Sequence, residues 1–448
     1  MSKTDTDPAK LLEALLDQCK AAGATDADAR IARGRGVSVN VREGKLEDIE
    51  RSESQGVALR CLFGQRQAHV SGSDLSAEGL SALAERCVAM AKAVPEDPYC
   101  GLAPAEDLAR DLPELDLSGD GEISAEKLEA DALLAEATAL DVDNVKSVSS
   151  CSAGWDETER WVASTNGFSS YRFGGSSGLG LAVVAEKDGG MERDYDSWST
   201  RKMADRPAPE AIGLEAATRA VARLGSTKIA SRTAPVIYDR RISSSLLGAL
   251  LGAISGPSVA RGVSFLKDRL GEAVFASGID IIDDPFRARG IGSRSHDGEG
   301  RAVAETKLID DGVLTRWLLN GSSARQLGLT PNGFAGGGFG DPPGVGTSNT
   351  YLQAGMKSPA DLMTDVGEGL LVTDMFGPSI NPNTGDYSVG VSGFWFEGGE
   401  ISHPVSEVTI AGDLPDMFAR LVPASDLEFR GRRDAPSVLI EGMTIAGS

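Results

Sequence analysis

The stretch from Ser243 to Pro257 restricts the possible folds of this chain more than any other part of the sequence. After three leading serines, the nine residues 246–254 are all Leu, Gly, Ala or Ile, and Gly256-Pro257 follows as a stop signal. A helix without a polar face packs inside a protein or against a partner. Each interior glycine costs a helix about 1 kcal/mol relative to alanine, so packing or function must compensate. We therefore expect a buried helix whose side chains can neither bind a metal nor transfer a proton.

Length and charge narrow the class of protein. With 448 residues, the chain is long enough for two or three domains. Its formal net charge of −22 argues against binding to nucleic acids or anionic membranes, because Lys and Arg dominate contacts with phosphate groups. No apolar run approaches the roughly 20 residues that span a bilayer. A charge of this sign does favour solubility and the attraction of cationic segments.

The cysteines indicate a reducing compartment. They are scattered without a CxxC pair, at Cys19, Cys61, Cys87, Cys100 and Cys151. Such an odd, dispersed set in a large chain is typical of free thiols rather than of a disulfide framework. The N-terminal residues 1–8 also lack the basic and apolar segments of a signal peptide. We therefore expect a soluble, cytoplasmic protein.

Hydrophobic periodicity and turn signals predict an α+β fold. We expect an N-terminal α+β domain over 1–100, a connector over 101–120, a second α+β segment over 121–230 and a mostly antiparallel β domain over 231–448. Helices that begin near Asp7, Ser76, Ser124 and Ala208 flank the strands of the first two regions. The predicted strands are 26–33, 36–42, 46–54, 57–63, 66–71, 145–153, 159–165, 168–177, 179–187 and 191–201, with a hairpin turn at Asn166-Gly167.

Few residues in the sequence offer catalytic or metal-binding chemistry. The three histidines, His69, His296 and His403, lie far apart, whereas a zinc site normally needs several His or Cys residues at set spacings. Counting residues does not exclude a Ser-His-Asp triad. No Gly-x-Ser-x-Gly elbow supports one, however.

Four segments mimic functional sites. Residues 116–127 resemble a calcium-binding loop but have Lys127 where a bidentate Glu is needed, so we interpret them as the start of a helix. The glycine-rich residues 334–351 lack the Gly-Lys-[Ser/Thr] of a P-loop, which favours a loop beside a sheet edge. We interpret His296–Gly300 as a polar turn and Asp280–Asp284 as a strand end with solvated charges.

The carboxy-terminal segments resemble a known family. Residues 369–377, 383–395 and 397–412, the last ending Pro404-Val-Ser-Glu-Val-Thr-Ile-Ala-Gly412, look like the hallmark of the TldD/PmbA family. Residues 222–225, 235–236, 347–352 and 440–447 match as well, so the resemblance covers nearly the whole chain. The sequence around Gly393-Phe394-Trp395 resembles the PmbA branch, also called TldE, more than the TldD branch.

This resemblance implies a fold shared with a cytoplasmic, two-subunit zinc peptidase. In TldD-type chains the helix that corresponds to 243–257 carries His-Glu, three further residues and a second His, and a later Cys completes the ligands. Here Gly248 falls at the first His, Ala249 at the Glu and Ala253 at the second His, and no Cys occurs around 429–433. The resemblance therefore implies no catalytic residue, no metal and no other cofactor in this chain, with zinc in its partner.

We accordingly expect a non-catalytic PmbA/TldE-type subunit. It would form a heterodimer with a TldD-type catalytic subunit, or a homodimer when alone, and act on unfolded or leader peptides, without nucleic acid or membrane partners. The candidate contacts with peptide or partner are Asn349, Tyr351, Asp386, Tyr387 and Ser388.

Two alternatives stay open. One is a regulatory binding protein without proteolytic activity, in line with the family's older label as a modulator of DNA gyrase. The other is an independent hydrolase with Asp/Glu metal ligands or an unrecognised triad.

Overall fold

The first two regions of the chain build one continuous sheet in the computed structural model, which describes residues 7–447. Each region contributes a helix, three antiparallel strands and a second helix. The elements are α1 (Pro8–Ala21), β1 (Asp26–Arg42), β2 (Lys45–Phe63), β3 (Arg66–Gly72), α2 (Ala77–Ala93), α3 (Ala125–Leu140), β4 (Val145–Ser164), β5 (Ser169–Lys187), β6 (Gly190–Thr200) and α4 (Pro209–Ala222). The strand order is β3-β2-β1-β4-β5-β6, so the β1–β4 pair joins the two halves.

The strands of this sheet are longer than the sequence predicted. β1 and β2 run through the expected breaks at 34–35 and Gln55-Gly56, and β4 and β5 run through those at 154–158 and Gly178. The predicted breaks were wrong because glycine within these strands marks close backbone approach. A Cβ on Gly36 would lie only 2.8 Å from the carbonyl oxygen of Trp155.

The two faces of the sheet have different roles because side chains alternate along each strand. Odd-numbered residues such as Val39, Ala153 and Leu181 pack with the residues of α3 and α4, and Ile31 packs with those of α1 and α2. Even-numbered residues such as Arg30 line cavities between this sheet and the third region. All four helices therefore cover one face, and the other face is available for a functional site.

The third region is mostly antiparallel β structure. Its elements are β7 (Arg232–Tyr238), α5 (Arg240–Ala253), α6 (Gly256–Ala260), β8 (Ile281–Asp284), β9 (Thr306–Asp310), β10 (Val313–Leu314), α7 (Gly321–Leu327), β11 (Ala335–Gly336), β12 (Gly344–Val345), β13 (Asn349–Leu352), α8 (Pro359–Val366), β14 (Glu368–Ile380), β15 (Asp386–Glu397), β16 (Glu400–Asp413), α9 (Leu414–Arg420), β17 (Val422–Pro423), β18 (Arg433–Asp434) and β19 (Val438–Ala446). They form a six-stranded sheet ordered β16-β15-β14-β7-β19-β17 and a five-stranded sheet ordered β10-β9-β8-β13-β18. This arrangement confirms the α+β class.

Helix α5 begins and ends at different residues from those predicted. Asp239 is its N-cap and accepts a hydrogen bond from the Arg241 backbone N–H at 2.9 Å, so the three serines lie inside the helix. At the other end, Gly256-Pro257 opens α6 rather than only stopping α5, because proline suits the first turn of a helix.

Only one face of α5 is buried. Leu246, Leu247 and Leu250 pack into the core of the third region, whereas Ser245 and Gly252 are exposed. Burial within this chain is therefore confined to one stripe of the helix, which also includes Ser243 and Ala253, and Leu251 is only half-buried. Burial of the other side against a partner stays a prediction.

Other expectations can be compared directly with the described residues. The side chains of Asp7, Ser76 and Ser124 each accept a backbone N–H in the first turn of their helices, which confirms these starts. All five cysteines are free thiols. Among the helices of residues 7–447, none is long and apolar enough to cross a lipid bilayer. Residues 1–6, which carry most of the signal-peptide prediction, lie outside the described residues.

Candidate functional site

A cleft of about 790 Å³ separates the open face of the first sheet from the third region. Small residues at even positions of β1, β4 and β5, among them Ser38, Gly154 and Gly178, form one wall. Arg240 and Ser244 of α5 and Arg433 of β18 contribute to the opposite wall. The volume lies in the range of ligand-binding clefts, and the short side chains keep it open.

Ion pairs hold the two walls of this cleft together. Arg241 of α5 donates to Asp194 of β6 at 2.9 Å, and both side chains are largely buried. Arg430 donates to Asp196 of the same strand at 2.9 Å, and its guanidinium carbon lies 4.0 Å from the centroid of the Trp198 ring. These pairs tie the third region to the edge strand of the first sheet.

An arginine side chain lies next to the first position at which the family resemblance places a zinc ligand. A Cβ on Gly248 would lie 2.8 Å from Nη1 of Arg433, so the guanidinium group lies against this turn of α5. The structure thus brings Gly248 next to the 429–433 segment, where the resemblance places the missing thiolate. Ala249 is half-buried, whereas Ala253 packs in the core of the third region.

These residues do not fit a zinc ion. Zinc needs nitrogen, thiolate or carboxylate ligands, and Gly248, Ala249 and Ala253 supply none. The positive charge of Arg433 would also repel a cation at this place. Within residues 7–447, no group of three or more His, Cys, Asp or Glu side chains is arranged to hold a metal ion. That this chain binds no metal in solution stays a prediction.

Asn349 and Tyr351 of β13 lie away from the cleft. The Asn349 side chain is fully buried: its Oδ1 accepts from the Gly292 N–H at 2.8 Å, and its Nδ2 donates to the Asp284 carbonyl at 2.6 Å. Tyr351 is half-buried, and its ring centroid lies 5.3 Å from that of Phe429. In this chain Asn349 fixes the loop after β8, and a contact of either residue with peptide stays a prediction.

The other three candidates lie together at the start of β15. Asp386 is exposed and accepts a hydrogen bond from the Thr384 hydroxyl at 2.6 Å. Tyr387 is buried, which raises its pKa, and its hydroxyl lies 3.7 Å from the Met375 sulfur. Ser388 is half-buried. None of the three lines the cleft, and their role in binding also stays a prediction.

A second cavity, of about 630 Å³, lies between the same sheet face and the glycine-rich segment that includes β11 and β12. This segment packs against β2, because the Phe339 ring lies 3.0 Å from the position of a Cβ on Gly56. His296 lies in the wall of the cavity, where its Nε2 is 3.0 Å from the Ser170 hydroxyl.

The surroundings of His296 keep its ring neutral. Burial lowers its pKa, and the charge of Arg172 lowers it further. Nδ1 lies 2.7 Å from the Asp297 backbone carbonyl, which can only accept, so Nδ1 carries the proton and Nε2 accepts from Ser170. A serine hydrolase would place a carboxylate at Nδ1. The Ser170–His296 pair therefore lacks the third member of a triad.

The prediction of solvated charges at 280–284 was wrong for Asp283. This carboxylate is buried and accepts hydrogen bonds from the Ser348 N–H and the Thr350 hydroxyl, both at 2.8 Å. Burial raises its pKa. The error arose because β8 lies inside the five-stranded sheet, between β9 and β13.

Sequence reasoning missed the arginines of the second cavity. Arg160 of β4 lies directly opposite Arg172 of β5. A two-residue Asn166-Gly167 turn would have paired Arg160 with Phe173 instead, because turn geometry fixes hairpin register. The actual loop is one residue longer, since the Ser164 N–H donates to the Phe168 carbonyl.

The fold and cleft define a three-region α+β chain whose helix α5 carries no metal-binding side chain at Gly248, Ala249 or Ala253. Models of the PmbA/TldA metallopeptidase match residues 27–91 as domain 1, 119–224 as the central domain and 231–447 as the C-terminal domain. The chain belongs to the PmbA/TldD family, as the resemblance predicted. It is 34% identical to Metalloprotease PmbA of Escherichia coli O157:H7, over 95% of this chain and 94% of that protein. It is 31% identical to a PmbA homologue of Haemophilus influenzae, over 95% and 93%.

Solved structures share the fold. A putative modulator of DNA gyrase from Bacteroides thetaiotaomicron superimposes with a TM-score of 0.92 at 23% identity, covering 100% of both chains. TldE from Thermococcus kodakarensis superimposes with a TM-score of 0.87 at 20% identity, covering 98% of this chain and 100% of that one. At these identities the likeness concerns the fold alone.

Proposed function

We propose that this chain is a non-catalytic, PmbA/TldE-type subunit of a cytoplasmic heterodimeric peptidase whose TldD-type partner holds the zinc ion. Helix α5 carries the proposal, because Gly248 and Ala249 supply no ligand or general base and Arg433 lies against Gly248. A site without ligands cannot use a metal to activate water or polarise a peptide carbonyl. Membership of a family with relatives named metalloproteases supports a role within a peptidase complex.

The exposed side of α5 supports close approach by a partner. Ser245 and Gly252 are exposed, and a Cβ on Gly252 would have no atom within 4 Å. Small residues let another backbone approach closely. A shared fold favours a pseudo-symmetric pair with a TldD-type chain, and a homodimer in its absence.

The edge of the first sheet supports binding of an extended peptide. Within the described residues β6 pairs only with β5, and its residues Tyr195 and Ser197 reach the cleft. An extended chain can add to such an edge through main-chain hydrogen bonds, with little dependence on sequence. We infer that the substrates are unfolded or leader peptides held in the cleft beside this edge, where the Arg193 and Tyr195 carbonyls already accept from Arg223 and Arg241.

Mixing experiments test the proposal. The purified chain should not cleave an unfolded test peptide by itself, and adding a TldD-type chain should produce cleavage that a zinc chelator stops. Zinc-dependent cleavage by this chain alone would overturn the proposal.

A matched pair of variants tests the interface. Gly252→Leu places a large side chain on the exposed side of α5 and should weaken both association with the partner and cleavage. Ala130→Leu makes a similar change at an exposed position of α3 and should alter neither. Equal effects of the two variants would argue against an interface at α5.

The two alternatives predict different results. If the chain is a regulatory protein without proteolytic function, a pull-down with it should recover gyrase and no TldD-type chain. An independent hydrolase should lose its own activity on His296→Ala or His403→Ala, whereas our proposal expects the complex to retain cleavage with either variant.

A further inference from the structure

The second cavity concentrates positive charge in a chain with a net charge of −22. Seven arginines line it, together with four carboxylates, Asp28, Asp156, Asp297 and Glu299. Six of the seven are Arg30, Arg160, Arg172, Arg201, Arg294 and Arg432. In the part of the chain that the structure describes, no carboxylate oxygen lies within 4.0 Å of their side-chain nitrogens. Arg60 in the same wall differs, because it pairs with Asp28. The charge of the six arginines is therefore not neutralised by direct ion pairs.

Two of these arginines oppose each other across the sheet. Arg160 is the cross-strand partner of Arg172, and like charges at such positions destabilise a sheet. Burial, and then the charges of Arg201 and its neighbouring arginines, lower the pKa of Arg172 to about 10. A group of like charges held in this way indicates that something outside the chain compensates for it.

Arg294 is largely satisfied by the chain itself, because its three nitrogens donate to Ser348, Ala335, Gly333 and Gly346. Other arginines of the group retain hydrogen-bond donors. Arg172 donates from Nη2 to the Ser293 carbonyl at 2.8 Å, and Arg432 donates from Nη2 to the Thr347 carbonyl at 3.0 Å. The Nε of Arg201 is buried without an acceptor among residues 7–447. Guanidinium groups with spare N–H bonds bind carboxylates and phosphates in a bidentate manner.

We propose that this cavity binds a ligand with two or more oxyanion groups, such as the adjacent carboxylates of an acidic peptide segment. Its volume of about 630 Å³ lies within the range of small-molecule sites, which leaves room for more than one such group. The glycines 336–338 form part of its wall and leave space beside the backbone. The inference concerns the isolated chain and does not depend on the proposed subunit role.

Titration calorimetry on the purified full chain tests this inference. The probes are a capped pentaglutamate peptide, a capped pentaglutamine peptide and sodium tripolyphosphate. We expect the acidic peptide to bind, the neutral peptide not to bind, and the affinity to fall as NaCl rises from about 50 mM to about 300 mM. Binding of tripolyphosphate but not of the acidic peptide would support an oxyanion site and show that its ligand is not an acidic peptide.

Arginine variants locate the site. Arg172→Met and Arg160→Gln should each weaken binding about tenfold or more, because each removes charge-assisted hydrogen bonds. Arg261→Gln, at an exposed arginine outside the cavity, should change affinity less than about twofold. Because Arg172→Met also removes like-charge repulsion, its melting temperature should not fall in the absence of ligand.

Three results would overturn the inference. The first is no binding of any anionic probe, and the second is equal binding of the glutamate and glutamine peptides. The third is an unchanged affinity in both Arg172→Met and Arg160→Gln. If Arg172→Met fails to fold, the exposed Arg160→Gln variant still decides, because its side chain supports no core packing.

Discussion

At the residue scale, single side chains decide what the α5 region can do chemically. Arg433 places a guanidinium group against Gly248, so the site is positively charged where a zinc peptidase would gather ligands. Replacing Gly248 and Ala253 with histidine would not rebuild a metal site, because Ala253 faces the core of the third region and no thiolate is nearby. The groups that a zinc site would need are therefore missing from several elements at once.

Asp297 should make stability depend on pH. Burial raises its pKa from 3.8 to about 6, and the charge of Glu299 adds to the effect. The folded state therefore holds the Asp297 proton more tightly than the unfolded state does. The resulting contribution to the free energy of unfolding is present at low pH and is lost as pH rises through about 6. Relative to Asp297→Asn, the wild-type chain should lose about 1 kcal/mol of unfolding free energy between pH 5 and pH 7.5.

Urea unfolding of both proteins at the two pH values measures this difference. The Asp297 carboxylate accepts hydrogen bonds from the Glu299, Arg301 and Ala335 N–H groups. The Asp297→Asn variant therefore also loses some free energy of unfolding that does not depend on pH. That loss cancels in the comparison across pH. A difference between the two proteins that stays constant with pH would show that Asp297 does not titrate in this range.

At the element scale, glycine has opposite roles in two helices. A Cβ on Gly252 of α5 would meet no atom within 4 Å, whereas one on Gly213 of α4 would lie 2.2 Å from the Ala135 carbonyl oxygen of α3. The first glycine leaves an open surface, and the second allows two helices to pack closely. This difference supports the proposal that a glycine occupies position 252 because a partner approaches there, and not because of packing within the chain.

Alanine substitutions at these glycines should change stability in opposite directions. Gly252→Ala should raise the free energy of unfolding by about 0.5–1 kcal/mol, because alanine lowers the entropy cost of the helix. Gly213→Ala should lower it by about 1–3 kcal/mol, because the helices must move apart. Urea midpoints measured in parallel check both, and a stabilising Gly213→Ala would contradict the described helix contact.

Much of the element order could be predicted from the sequence. Asp7, Ser76 and Ser124 marked helix starts correctly because a capping side chain acts locally. The predicted start of α5 at Ser243 was wrong because Asp239, four residues earlier, is the N-cap and accepts a backbone N–H of the first turn. Strand lengths were missed because Gly36, Gly154 and Gly178 serve contacts across the sheet that local patterns do not reveal.

At the scale of the whole molecule, buried ion pairs join the first sheet to the third region. Arg241 and Arg223 both approach Asp194, at 2.9 and 3.5 Å, and Arg223 also lies 3.3 Å from Asp374 of β14. These pairs set the width of the cleft. The cleft and the arginine cavity were not predictable from the sequence, because each combines segments from all three regions.

Removing the Arg241–Asp194 ion pair should lower the free energy of unfolding of the whole chain. Arg241→Met should lower the unfolding free energy by about 2–4 kcal/mol, because the buried Asp194 keeps the Tyr195 N–H as a donor but only the longer contact to Arg223 as an ion pair. Arg261→Met, at an exposed arginine, should change it by less than about 0.5 kcal/mol. Similar urea midpoints for the two variants would show that the regions do not depend on this pair.

The most direct test of the central claim is the zinc content of the purified chain, alone and in complex with a TldD-type chain, measured by mass spectrometry. We expect essentially no zinc in the isolated chain and about one zinc ion per heterodimer, because only the partner supplies ligands. About one tightly held zinc ion per isolated chain would contradict the account.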